Sequence, residues 1–270
     1  MRNFSRRFLQ LGVLILTTIV LATSAPAAAF SNASVKGSYS FTTDLWTANP
    51  TTPAFGMVGV MTFDGAGNVT ASYESITAGV PKTGTWGGTY SVNSDGVGAI
   101  ELTTGSTARF AMTLNSTAAG VAHGLQLLLT NDGNNEVVSG TAVLQSTGAE
   151  TYSVASLKGT FAVLGNSWTA KVGDKREGVT GIITFDGKGN LTSTVTVMWG
   201  GKLHAAITET GTYTVNSDGI GNELLSGGSH HAFALNSVSS GLANGLQFLV
   251  TVSSDLDDGS LVLSGTALKQ

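Results

Sequence analysis

Beyond an N-terminal segment, apolar and polar positions alternate along the chain with a period of two. Leu246, Phe248, Val250 and Val252 fall on one face of a run. Leu261 and Leu263 then share a face with Gly265 and Ala267, and Leu125, Leu127 and Leu129 form the matching run in the first half. This period marks strands, whereas an amphipathic helix repeats every 3.6 residues. Asp-Gly pairs separate the runs: Asp64-Gly65, Asp95-Gly96 and Asp132-Gly133, then Asp186-Gly187, Asp218-Gly219 and Asp258-Gly259. Glycine takes positive φ without steric cost and aspartate tolerates it, as tight hairpin turns require. The second half predicts eight strands, near residues 157–164, 178–185, 190–199, 203–215, 220–226, 230–236, 243–252 and 260–268.

The two halves are copies of one repeat. Thr62-Phe63-Asp64-Gly65-Ala66-Gly67-Asn68 returns as Thr184-Phe185-Asp186-Gly187-Lys188-Gly189-Asn190. The stretch from Gly88 to Gly96 returns as Gly211 to Gly219, and Gly124-Leu125-Gln126 as Gly245-Leu246-Gln247. The offset drifts only between 121 and 125, so insertions belong to loops. The expected organisation is a targeting segment at 1–29, one repeat at 33–145, a linker at 146–154 and a second repeat at 155–270. Each repeat is long enough to bury its own core.

Consecutive strands joined by short turns form an antiparallel meander. Its edge strands stay unpaired unless the sheet closes. The expected fold is therefore all-β, with two tandem antiparallel up-and-down β-barrels of about eight strands each. A β-sandwich is the alternative, and one sheet shared by both halves is another.

The FDGxGN motif followed by GTYxVNSDG resembles a family of uncharacterised secreted bacterial proteins built from β-barrel-like repeats. The resemblance spans nearly all of the chain after the N-terminal segment. It implies export and a barrel loosely similar to lipocalin-type and allene-oxide-cyclase-type barrels. It supplies no catalytic residue, and fold alone does not give function.

The N-terminus changes the compartment. Arg2, Arg6 and Arg7 precede an apolar run from Leu11 to Ala22, and Ala25-Pro26-Ala27 and Ala27-Ala28-Ala29 each suit cleavage. This is the layout of a signal peptide, too short for a spanning helix. Ser5-Arg6-Arg7-Phe8-Leu9 also resembles a twin-arginine signal, so both export routes stay open. The expected location is periplasmic or extracellular, with no transmembrane anchor in the mature form. The chain holds 13 Lys and Arg against 17 Asp and Glu; without the three N-terminal arginines this becomes 10 against 17, or −7. Such an acidic chain is no nucleic-acid binder. It has no cysteine, so disulfides and thiol nucleophiles are excluded.

No motif calls for a metal or cofactor. FDGxGN lacks the alternating acids of a calcium loop and suits a turn. His230 and His231 are neighbours, so on a strand they point to opposite faces. Glu101 and Glu223 match at offset 122, one acid per copy, and no nucleophile elbow surrounds any serine. The side chains fit for binding that recur in both copies are Trp46 and Trp168, Tyr90 and Tyr213, and Gln126 and Gln247. The two tryptophans lie beside loops that differ between the copies, Pro50 to Phe55 and Lys171 to Gly178.

Three functions are compatible with this reading. The first is an exported, non-catalytic binding module for a small apolar ligand, with a pocket at a barrel mouth. The second is a structural or interaction protein of the cell envelope. It is suggested by strands apolar on both faces, with Leu128 between Leu127 and Leu129 and Leu249 between Phe248 and Val250, which implies self-association or another protein partner. The third is a cyclase or isomerase working inside a lumen, which needs an ionisable group there, such as Glu74, Glu101, Glu223 or His231.

Overall fold

Sixteen strands fold into two closed antiparallel meanders, so the barrel expectation holds and the sandwich is set aside. The computed structural model describes residues 29–47, 55–130, 136–168, 177–199, 201–252 and 262–270. Most of the targeting segment, most of the two variable loops, and the Asp132-Gly133 and Asp258-Gly259 turns lie outside them.

The first barrel runs through β1 (Lys36–Thr47), β2 (Phe55–Asp64), β3 (Asn68–Thr77), β4 (Val80–Val92), β5 (Val97–Thr104), β6 (Arg109–Ala118), β7 (Val121–Leu129) and β8 (Glu136–Ser146). The second runs through β9 (Lys158–Trp168), β10 (Glu177–Asp186), β11 (Asn190–Trp199), β12 (Lys202–Val215), β13 (Ile220–Leu225), β14 (His230–Asn236), β15 (Gly245–Val252) and β16 (Val262–Lys269). Closure is made by β1 on β8, with Phe41 opposite Ala142, and by β9 on β16, with Gly165 opposite Gly265. Among the described residues no strand edge is left unpaired, as closed barrels allow.

One end of each barrel is sealed in the same way. A single 3-10 turn, Asn32–Ser34 or Val154–Ser156, leads into the first strand and sits over that end. The Tyr90 hydroxyl donates to the Asn32 and Val35 carbonyls at 2.9 and 2.8 Å. The Tyr213 hydroxyl donates to those of Val154 and Leu157 at 3.0 and 2.8 Å. Beneath each phenol the rings stack edge to face: Tyr39, Phe63 and Tyr90 in one barrel, Phe161, Phe185 and Tyr213 in the other. Burial pushes the Tyr90 phenol up to about 12.

The FDGxGN hairpins lie at this sealed end. Asp64 Oδ1 accepts the backbone N–H groups of Ala66, Gly67 and Asn68, and Asp64 Oδ2 accepts the Asn68 amide. Asp186 and Asn190 repeat the arrangement. The carboxylate oxygens are thus turned onto the loop's own donors, which is a turn and not an ion cradle. Gly65 and Gly67 sit at φ +80° and +119°, where a side chain would be strained.

The barrels pack side by side through a third apolar cluster. Val58, Val60 and Ile76 of the first meet Ile220, Ala232, Ala234, Leu249 and Val262 of the second. At Gly56 a β-carbon would lie 2.5 Å from Val262 Cγ1 and 2.7 Å from Leu249 Cδ1, so only glycine admits this approach. Polar ties surround the cluster. Gln247 Nε2 donates to Thr141 Oγ1 at 3.0 Å, and Ser264 Oγ donates to Asp44 Oδ2 at 2.5 Å. The Ser237 and Val238 amides donate to the carbonyls of Leu144 and Gln145. The two-sided apolar pattern of β15 is therefore explained, since Leu249 is covered by the first barrel. Leu128 in β7, by contrast, is exposed.

Burial raises the Asp44 carboxyl above its ordinary range, the Ser264 hydrogen bond opposing, and Asp44 Oδ1 is buried without a partner. A raised carboxyl binds its proton more tightly when folded. Its cost to stability grows as pH climbs from the unfolded carboxylate value through the folded one. Asp44→Asn removes that cost. We expect Asp44→Asn to raise Tm by about 2–4 °C at neutral pH, and the gap to close as the pH falls into the ordinary carboxylate range, as read by thermal melts across pH.

Candidate functional site

Inward-facing side chains fill the sealed half of each barrel and leave a cavity in the other half. The first lumen holds about 260 Å³, bounded by Phe41, Met57, Tyr73, Trp86, Phe110 and Leu127, with Thr43 and Ser75 as hydroxyls. The second holds about 240 Å³, bounded by apolar groups such as Val179, Val195, Phe248 and Leu263. The chemical difference lies in the ionisable groups. Glu177, His204, Glu209, Glu223 and His231 all line the second lumen, whereas among the described residues bounding the first only Tyr73 can titrate.

Glu223 and His231 form the centre of the second site. They are directly paired residues of β13 and β14, and His231 Nδ1 lies 3.2 Å from Glu223 Oε2. The two side chains are only 3% and 15% exposed. The imidazole also rests against Phe248, ring centroids 6.2 Å apart. Nδ1 is committed to the carboxylate, so Nε2 is the nitrogen left for a ligand. Neither Nε2 nor Glu223 Oε1 has a hydrogen-bond partner among the described residues. Glu209, at the same cavity, accepts the Gly227 N–H at 2.9 Å.

The first barrel shows what this pair replaces. Tyr90 is paired with Ile100, and Ile100 with Phe110; Tyr213 is paired with Glu223, and Glu223 with His231. Hence Ile100 and Phe110 are the counterparts of Glu223 and His231. The sequence match of Glu101 with Glu223 at offset 122 is corrected by one residue, because VNSDGVG and VNSDGIG align at 123. One residue of slip reverses the face of a strand. Glu101 accordingly points to solvent and pairs with Arg109. Glu74 lies at the junction of the barrels and bonds Asn222, and burial raises its carboxyl against that bond and the nearby His230. The adjacent histidines divide as expected: His231 faces inward and His230 is exposed.

The recurring residues singled out from sequence are scattered. Tyr90 and Tyr213 belong to the sealed ends, their hydroxyls used on backbone carbonyls. Gln126 is exposed, and Gln247 is buried between the barrels with its Oε1 unpartnered. Trp46 and Trp168 stand at the far end of β1 and β9, away from the sealed end, and their side chains lie outside the described residues. The structure thus does not bring the two tyrosines and two glutamines into one site. The signal for the pair it does assemble was a polar substitution in an otherwise matching repeat, Ile100 to Glu223 and Phe110 to His231.

No protein-family model matches the chain, and no curated protein matches it. Among solved structures it is similar to CghA, at 7% identity and a TM-score of 0.29 over 86% of this chain and 88% of that one. A DUF3598 family protein from Nostoc punctiforme shares 12% identity at a TM-score of 0.29, over 87% of this chain and 96% of that one. Kievitone hydratase from Nectria haematococca shares 8% identity at 0.27, over 87% and 89%. Likenesses this weak carry no argument about chemistry, and the barrels rest on their own strand pairing. Among the described residues no three metal-ligating side chains cluster, and no helix is long and apolar enough to cross a membrane.

A buried acid–imidazole pair is costly to hold, and well-packed apolar replacements are often neutral or stabilising by ~1–4 kcal/mol. The first barrel supplies the replacements. Glu223→Ile with His231→Phe is expected to stabilise the protein by ~1–4 kcal/mol, while His231→Phe alone strands a buried carboxylate and costs ~3–5 kcal/mol. Urea denaturation of both variants and of Glu223→Ile alone gives the coupling between the two residues.

Proposed function

We propose that the protein is an exported carrier whose second barrel binds a small, mostly apolar molecule bearing one hydrogen-bonding group. The carrying observation is the apolar cavity of about 240 Å³ with Glu223 Oε1 and His231 Nε2 unpartnered at its wall. A pocket lined by apolar groups with a few convergent polar atoms is what small-ligand sites require. An apolar cavity of about 150 Å³ accepts benzene, so this lumen suits a one- or two-ring compound. Export is supported by the basic, apolar and small-residue succession before residue 30.

Titration with 1-naphthol, read by its fluorescence, tests the reading, with naphthalene as the partner lacking a hydroxyl. Glu223→Ile/His231→Phe is expected to weaken 1-naphthol by about 10-fold or more, the loss of one hydrogen bond to a charged group, and to leave naphthalene unchanged. Val195→Trp, which fills the second lumen, should abolish the naphthol site, and Met57→Trp in the first lumen should spare it. Equal affinity for the two compounds would exclude polar recognition by this pair.

A second reading is favoured by the same two free atoms. A base at Nε2, oriented through Nδ1 by a carboxylate, is the arrangement for proton transfer. Nε2 would take a proton from the carbon beside a carbonyl, the C–H electron pair would form the enolate double bond, and a proton would return to that carbon. Deuterium uptake at C1 of 2-tetralone in heavy water measures this step. Acceleration over buffer that drops by about 100-fold or more in Glu223→Ile/His231→Phe is expected if the pair is a base. Binding without accelerated exchange leaves the carrier reading and removes the catalytic one.

A further inference from the structure

The contact between the two barrels joins two different faces. The first barrel contributes β2 and β3, and the second contributes β13 to β16. In a duplicated chain each face has a counterpart on the other copy, and both counterparts are free surfaces. Val60 and Ile76 correspond to Ile182 and Met198 of the second barrel, which are 41% and 46% exposed. Ile220, Leu249 and Val262 correspond to Val97, Leu128 and Val137 of the first, 44%, 45% and 43% exposed. Among the described residues, five of the eleven large apolar side chains that stand exposed are thus the counterparts of buried junction residues.

The polar ties are duplicated too. Gln247 and Thr141, hydrogen-bonded across the junction, correspond to Gln126 and Thr266, both exposed. Asp44 and Ser264 correspond to Asn166 and Ser139, also exposed and still able to share a hydrogen bond. The match is imperfect where Thr180 stands for Val58 and Thr113 for Ala234, and the linker contacts of the internal junction have no equivalent. The external contact is therefore weaker than the internal one, and it also bears the entropy cost of bringing two molecules together.

We infer that copies of this chain associate head to tail, the Ile182–Met198 face of one second barrel docking on the Val97–Leu128–Val137 face of the next copy's first barrel, in the register of the internal junction. Because the two faces differ, the contact is heterologous. Such contacts grow into open filaments unless the rotation happens to close a ring.

Sedimentation of the purified protein over a range of concentrations tests this. The expected result is a weight-average mass that rises with concentration past twice the 27.5 kDa of one chain. Ile182→Glu and Leu128→Glu each remove one face and should each sediment as monomers. Mixed together they retain one intact pair of faces, and the mixture should form dimers and stop there. Leu224→Glu changes an exposed apolar residue on neither face, where the first barrel carries the exposed Glu101, and should associate like the parent. All three positions are exposed, and circular dichroism checks that each variant is folded. A monomer at every concentration overturns the inference, as does association that survives either face variant or a mixture that stays monomeric.

Discussion

An antiparallel meander leaves bare N–H and C=O groups along its first and last strands until those strands meet. In this protein they meet twice, β1 on β8 and β9 on β16. The chain has no cysteine and the described residues form no helix layer, so the closed ladders and what they enclose carry the described fold. Closure also fixes an inside and an outside for every strand. Each inward position must then suit the lumen and each outward one either water or the neighbouring barrel. The tyrosine-capped end, the cavity and the junction are all readings of this one division.

Much of that division was legible in the sequence. The period of two gave strands, Asp-Gly pairs gave turns, and the repeat gave two barrels as the leading expectation; the strand pairing then set aside one larger sheet. The site was less legible because it depends on a single residue of register. Glu101 and Glu223 stand near each other in a loose alignment, yet one lies on the outer wall and the other in the lumen. The turn motif between the tyrosine and the acid holds the right offset, and following it through β13 would have exposed Ile100 as the true counterpart. The tyrosines were recognised as recurring aromatics, but their role depends on the 3-10 turn that returns over the barrel end. That long-range contact has no local signature.

Duplication explains why identical residues have unlike fates. Gln126 and Gln247 occupy the same place in their repeats, one in solvent and one between barrels. Their difference arises from the packing of the pair, in which the second barrel presents its β13–β16 face to the first. The lumens differ for another reason: the wall itself has changed, with an acid and an imidazole where the first barrel has aliphatic and aromatic groups. Scaffold and chemistry have thus separated, the sealed ends being nearly superimposable in kind and the cavities distinct.

The side-by-side junction has a consequence for how the molecule comes apart. If the second barrel opens, Val58, Val60 and Ile76 lose their cover; if the first opens, Leu249, Val262 and the alanines of β14 do. Each half is therefore part of the other's solvent shield, and the cost of opening one includes wetting its neighbour. Stability is shared through a nearest-neighbour term, as in longer repeat arrays. A lesion in the first barrel would in this way be felt in the second, with no signal passing between the lumens.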